Sequence, residues 1–198
     1  MSSPSSGPEQ PGRPTRSDAR RNRERLLEAA RAAFATGDGA VALEAVARKA
    51  GVGIATLYRH FPTREALVEA AYAAELDDVT RAAHTLLAER EPAAALRAWT
   101  DHYASFVTAK HAMMSALRAG GASGGISTPA TRARLTAAIA AILEAGAATG
   151  SLRADVDPGD VTAMLLGVFL STAAIGAPER VDALLDLLVD ALRPPSAG

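Results

Sequence analysis

The chain has 198 residues, 48 % of them apolar and only 4 % aromatic, with a formal net charge of −1. That length allows a sizeable core in one medium or two small domains. The absence of cysteine excludes disulfides, thiolate metal sites and cysteine nucleophiles. The charge is unevenly divided. Residues 13–64 hold eleven Lys/Arg against five Asp/Glu, whereas residues 65–198 hold ten against sixteen. A basic front half on an acidic body points to nucleic acid or another anionic surface at the basic end. The N-terminus has no apolar leader, so a cytoplasmic location is expected.

Residues 1–17 are rich in Pro, Ser and Gly and are expected to form a disordered basic tail. Arg13, Arg16, Arg20, Arg21 and Arg23 run from it into the first helix. They form either an arm for phosphates or the minor groove, or a solvated charge run. Ser17 can cap a helix to about Thr36, with Leu26, Leu27, Ala30, Ala33 and Phe34 as its apolar stripe. Gly37 stops it, and Asp38-Gly39 forms the turn.

Residues 43–61, LEAVARKAGVGIATLYRHF, read as two short helices at a tight corner. Leu43, Val46, Ala47 and Ala50 share one helical face, and Gly51 follows where a positive φ ends a helix. Val52 plugs the corner, and Gly53 opens a second helix whose inner face is Ile54, Leu57 and Phe61. Small Ala47 lets the two helices approach. Such a pair is either a helix-turn-helix unit or a plain αα corner in a bundle. The outward side carries Ala55, Thr56, Tyr58, Arg59 and His60 and no carboxylate, which suits a polyanion.

With the following residues in register, AGVGIATLYRHFPTREAL resembles the DNA-binding signature of the TetR/AcrR family of transcriptional regulators. The resemblance covers about residues 20–72. It implies an all-α chain: a three-helix head at 18–79, its motif at 42–61, and a regulatory and dimerisation bundle at 80–198. It also implies a homodimer on a palindromic double-stranded operator, most commonly a repressor that a small-molecule effector releases. No cofactor or metal is implied, and no membrane. In that setting Lys49, Thr56, Tyr58, His60 and Arg64 are expected at phosphates, and Ile54, Ala55 and Arg59 at base edges. Arg59 has a second reading as a phosphate contact. Arg20, Arg21, Gly53 and Thr63 complete the expected DNA-binding set. One departure stands out: Ala42 occupies the position before the second helix where the family often has Ser or Thr, so a cap and a phosphate anchor are missing.

Pro62-Thr63-Arg64-Glu65 opens a helix to about residue 88, with Thr63 either its cap or inside it. Leu67, Ala70, Ala71, Ala74 and Leu76 are expected inward. Glu91-Pro92 starts another, to about Lys110, followed by a shorter helix at 111–119 carrying Met113, Met114 and Leu117. Trp99, His102, Tyr103 and Phe106 recur at helical spacing. They read either as core or, with Met113, Met114 and Phe169, as walls of an effector pocket. Lys110 and Arg118 would allow an acidic ligand there, or simply be solvated.

GGASGGIST at 120–128 reads as a flexible loop. Its Gly121-Ala122-Ser123-Gly124-Gly125 fits the spacing of a nucleophile elbow, but no strand pattern precedes it, so the hydrolase reading fails. An Ala-rich helix at 129–149 buries Leu135, Ile139, Ile142 and Leu143 and stops at Gly150. Asp157-Pro158 opens the next, and residues 161–178 carry no charge. Two Thr, a Ser, two Gly and the lack of a flanking basic cluster argue against a membrane span. The alternative is a helix buried on both sides. The last helix, about 178–192, has a stripe of Val181, Leu184, Leu185, Leu188 and Leu192 opposite Asp182, Asp186 and Asp190. Leu165, Phe169, Val181, Leu184 and Leu188 are therefore expected at a two-fold, four-helix interface. Pro194-Pro195 ends the order.

Two rival classes are weaker. A helical-bundle enzyme needs a repeated carboxylate–histidine spacing, and the four His are scattered. A helical interaction module without DNA gives no reason for the basic front half.

Overall fold

The computed structural model describes residues 16–36, 41–119 and 129–194. The described residues form eight α-helices: α1 (Arg16–Thr36), α2 (Leu43–Lys49), α3 (Ile54–His60), α4 (Arg64–Glu89), α5 (Pro92–Ala119), α6 (Pro129–Thr149), α7 (Pro158–Ala174) and α8 (Val181–Ala191). A single 3₁₀ turn, Pro178–Arg180, leads into α8. The expected N-terminal arm before Arg16, the Asp38-Gly39 turn, the 120–128 loop with its elbow spacing, and Pro195 lie outside the described residues.

The first three helices close over a small core. Leu26, Ala30 and Phe34 of α1 meet Val46 and Ala47 of α2, Leu57 of α3 and Phe61 just after it, all buried. The corner follows from the backbone of Gly51, at φ +67°. Its N–H donates to Arg48 O (3.1 Å), and the Val52 N–H reaches back to Ala47 O (3.0 Å). This paired closure is the Schellman motif, which needs a left-handed residue and therefore favours glycine. Ala42 precedes α2 with no side-chain cap, as its chemistry requires. Thr63 stands outside α4 and caps it, its hydroxyl accepting from Ala66 N–H at 3.1 Å.

α4 belongs to both halves. Its Leu67, Val68 and Ala71 are buried at the head, and Val79, Ala83 and Leu86 are buried further along. The Arg31 guanidinium of α1 reaches two carboxylates on α4, Glu75 at 2.7 Å and Asp78 at 2.7 Å. Hydrogen bonds that Arg31 donates to these acids, chiefly to Glu75, raise its pKa above the ordinary value. On the opposite side Arg134 of α6 meets Asp77 at 2.7 Å, and the Tyr72 hydroxyl bonds Thr131 Oγ1 at 3.2 Å. α4 thus links the head to the body, and α1 also packs directly against α5.

The break expected at residue 110 does not exist: α5 runs unbroken for 28 residues. Lys110-His111 contains neither glycine nor proline, and Trp99, Tyr103, Phe106, Met113 and Leu117 form one continuous buried stripe. Trp99 is wholly buried, its indole N–H donating to Val79 O at 2.9 Å. α7 starts at Pro158 behind the Asp157 cap, whose carboxylate accepts from the N–H groups of Gly159 (2.7 Å) and Asp160 (3.3 Å). The expected solvated acidic face of α8 is partly engaged, since Asp186 pairs with Arg97 of α5. Among the described residues no helix is long and apolar enough to cross a membrane.

Candidate nucleic-acid interface and cavity

α3 stands on the core through buried Leu57, with Ile54 packed partly against the same core, and turns its other side chains outward. Ala55, Tyr58 and Arg59 are exposed; Ile54, Thr56 and His60 are partly so. Gly53, before the helix, is open, and a β-carbon there would meet nothing within 4 Å. Lys49 is exposed at the end of α2, and Thr63 and Arg64 border the far end of α3. Between residues 45 and 64 the chain has Arg48, Lys49, Arg59 and Arg64 and no acidic residue. The face is therefore positive wherever it is exposed.

α1 adds to this edge. Arg23 lies over the Phe61 ring, 5.2 Å from its centroid, in a cation–π contact that pins the end of α3. Arg20 and Arg21 are exposed and lean on acids of their own helix, Arg20 on Glu24 at 3.6 Å and Arg21 on Asp18. Exposed pairs of this kind are worth little and exchange readily for a phosphate.

In the body, α5, α6 and α7 enclose a cavity of about 440 Å³. Its aromatic wall is Tyr103, Phe106 and Phe169. Phe169 meets Tyr103 edge-on with centroids 5.5 Å apart. Thr131, Arg132 and Leu135 of α6 make the facing wall, which the sequence reading did not include. Lys110 and His111 lie at its rim. Burial pushes the Tyr103 hydroxyl up to about 12, so it stays a neutral donor at ordinary pH. Burial also lowers the Lys110 ammonium below its usual range.

Four of the expected pocket residues lie elsewhere. Trp99 stacks behind Tyr103, centroids 5.6 Å apart, and faces the core. Met113 is fully buried and Met114 half-buried, both away from the cavity. His102 is exposed on the other side of α5, beside a polar groove with Arg31, Glu75 and Asp78. A stripe of aromatic residues marks the inner side of a helix, and whether that side meets side chains or space depends on the neighbouring helices.

The expected interface residues also divide. Leu165, Leu188 and Phe169 are buried within the subunit, while Val181 and Leu184 are half-exposed. The apolar side chains turned outward are Met164 (53 % exposed), Leu170 (57 %), Ile175 (67 %) and Leu187 (65 %). With Gly167 and Ala174 they form one face of α7 beside one edge of α8.

Residues 26–71 match the bacterial regulatory proteins of the tetR family, and residues 91–194 match the C-terminal domain of SbtR-like transcriptional regulators. The chain belongs to the TetR family. It is a DNA-binding transcriptional regulator of that family. Among solved structures it is similar to a TetR transcriptional regulator from Streptomyces coelicolor, at 44 % identity and a TM-score of 0.75, over 88 % of this chain and 99 % of that one. A TetR regulatory protein from Mycobacterium vanbaalenii is 34 % identical with a TM-score of 0.72, over 90 % of this chain and 99 % of that one. The fold alone is shared with SmeT, the repressor of the Stenotrophomonas maltophilia multidrug efflux pump SmeDEF, at 21 % identity and a TM-score of 0.57, over 88 % and 91 % of the two chains. No curated protein matches the chain significantly.

Proposed function

We propose that this TetR-family chain is a cytoplasmic, homodimeric repressor that leaves a palindromic operator when a small molecule enters the body. The observation that carries the DNA-reading part is the outward surface of α3, convex, positive and free of carboxylates between residues 45 and 64. A helix presented this way fits the major groove. Ile54, Ala55 and Arg59 face base edges. Ile54 and Ala55 suit a thymine methyl, and Arg59 suits guanine O6 and N7. Lys49, Thr56, Tyr58, His60, Thr63 and Arg64 hold phosphates, with Gly53 allowing close approach of the backbone and Arg20 and Arg21 reaching the flanking strand. The head spans residues 18–79 and the regulatory body residues 80–198.

Dimerisation uses the outward apolar face of α7 and α8, with Met164, Ile175, Leu184 and Leu187 central. Four exposed large apolar side chains, Met164, Leu170, Ile175 and Leu187, on or directly beside two adjacent helices of a single subunit fit a self-complementary contact. The cavity between α5, α6 and α7 takes the effector. Its wall bonds to α4 through Thr131 and Tyr72 (3.2 Å), and α4 carries the head, so a ligand that favours one placement of α6 biases the head. The chain acts by binding rather than by catalysis.

Selection of bound duplexes from a random pool tests this reading. The expected product is an inverted repeat whose half-sites lie about one helical turn, or a multiple of it, apart. Affinity should fall linearly with log salt, with a slope near −0.9 per contacted phosphate. Recovery of direct repeats, or of no preferred duplex at all, would contradict a two-fold dimer reading duplex DNA.

A further inference from the structure

The cavity has a charge as well as a shape. Its described lining includes Lys110, His111 and Arg132 and no carboxylate. The chain between Ala119 and Pro129 carries no ionisable side chain that would supply one. Arg132, exposed at the mouth of the cavity, forms no ion pair among the described residues, although most arginines of the body do, including Arg81, Arg97, Arg134 and Arg153. Lys110 is half-buried and has no described acid beside it. A partly desolvated cation without a partner is unfavourable, and an anion entering the cavity relieves it. The Tyr103 hydroxyl makes no hydrogen bond to a described residue and remains a donor. The rest of the wall is apolar: Phe106, Val107, Leu135, Leu166 and Phe169.

We infer that this cavity takes an amphipathic organic acid, its apolar body among Phe106, Leu135 and Phe169 and its carboxylate toward Lys110 and Arg132. Lipophilic cations are rejected, since nothing in the described lining compensates a positive charge. A guanidinium and an ammonium at the rim suit a carboxylate, which accepts from both. The regulatory consequence rests on the reading that this cavity is the effector site; the ligand class rests on the lining alone.

Three probes with one apolar body separate the possibilities: decanoate, decanol and decyltrimethylammonium. Each is titrated into the full-length dimer by calorimetry, with Trp99 emission as a second signal. The chain has one tryptophan, stacked on the Tyr103 ring that faces the cavity. Decanoate should bind at least tenfold tighter than decanol, with decyltrimethylammonium weakest. Lys110→Gln combined with Arg132→Gln should remove that tenfold preference while decanol binding stays unchanged. Both positions are at the rim, and an unchanged thermal melt confirms that the variant folds. Leu135→Gln, in the apolar wall, should weaken decanoate and decanol alike.

Equal or tighter binding of decanol or of the ammonium overturns the inference. So does decanoate binding that survives loss of both cations, or no binding of any probe at millimolar concentration. An operator-release assay distinguishes the two readings. If decanoate binds with the expected preference yet leaves the operator complex intact, the ligand class stands and the effector role of the cavity fails. If decanol or the ammonium releases the operator from the cavity and decanoate does not, the effector role stands and the ligand class fails.

Discussion

Leu187→Glu isolates assembly from folding because Leu187 is 65 % exposed in the single subunit while its neighbour Leu188 is 5 % exposed. Burying a leucine side chain fully is worth about 1.5–3 kcal/mol. A two-fold interface counts every contact twice, so covering the exposed part of Leu187 contributes about 2–4 kcal/mol per dimer on the same scale. A glutamate placed there removes that term and adds the cost of desolvating a carboxylate against apolar neighbours. The dimer should weaken by at least about 30-fold, at about 1.4 kcal/mol per decade. Sedimentation velocity over a concentration series reads this directly. Circular dichroism should show full helix content, since no core atom of the subunit is lost. Leu188→Glu, by contrast, puts the charge inside the subunit and should unfold it. A Leu187→Glu protein with the parent's dimer constant would show that the outward face of α7 and α8 is not the interface.

Two further outcomes follow from the geometry. Tyr103 has a folded-state pKa of about 12 against 10.0 when exposed, because burial disfavours its anion. The folded state then holds a proton that the unfolded state has lost, so stability falls as pH rises from about 10 to about 12, by roughly 2–3 kcal/mol in all. Tyr103→Phe should flatten that alkaline decline in urea melts; an identical slope would mean that this hydroxyl is not the buried one. Gly51→Ala forces an alanine to φ +67°, at a cost of about 1–2 kcal/mol. The variant should melt lower and bind operator more weakly with the same base preference; an unchanged melt would mean that the corner tolerates another path.

The motif was legible because each of its signals has one physical meaning. Leu43, Val46, Ala47 and Ala50 repeat at helical spacing, and Gly51 sits where only a left-handed residue closes the corner. The body was less legible. The stripe from Trp99 to Leu117 never breaks phase, and no glycine or proline stands at Lys110-His111, so the expected division there had no physical stop behind it. In α7 nearly every side is apolar, and its period cannot separate Leu165, turned inward, from Met164, turned outward. The run Leu184, Leu185, Leu187, Leu188 has the same ambiguity in α8. The cavity wall on α6 was missed because Thr131 and Arg132 look like ordinary first-turn residues. Only their position across from Tyr103 and Lys110 gives them a role.

The central claim is that the outward face of α3 reads the operator, and Arg59→Ala tests it most directly. The parent and the variant are each offered the same random duplex pool, and their bound sequences and affinities are compared at one salt concentration. Arg59 is exposed and contributes nothing to the core, so the variant keeps its fold. The account predicts a loss of about 1–3 kcal/mol per guanine contact and relaxed preference at one symmetric pair of positions in the inverted repeat. A loss of affinity with preference intact would move Arg59 to a phosphate on the same face. Affinity and preference both equal to the parent's would contradict the placement of α3 against DNA.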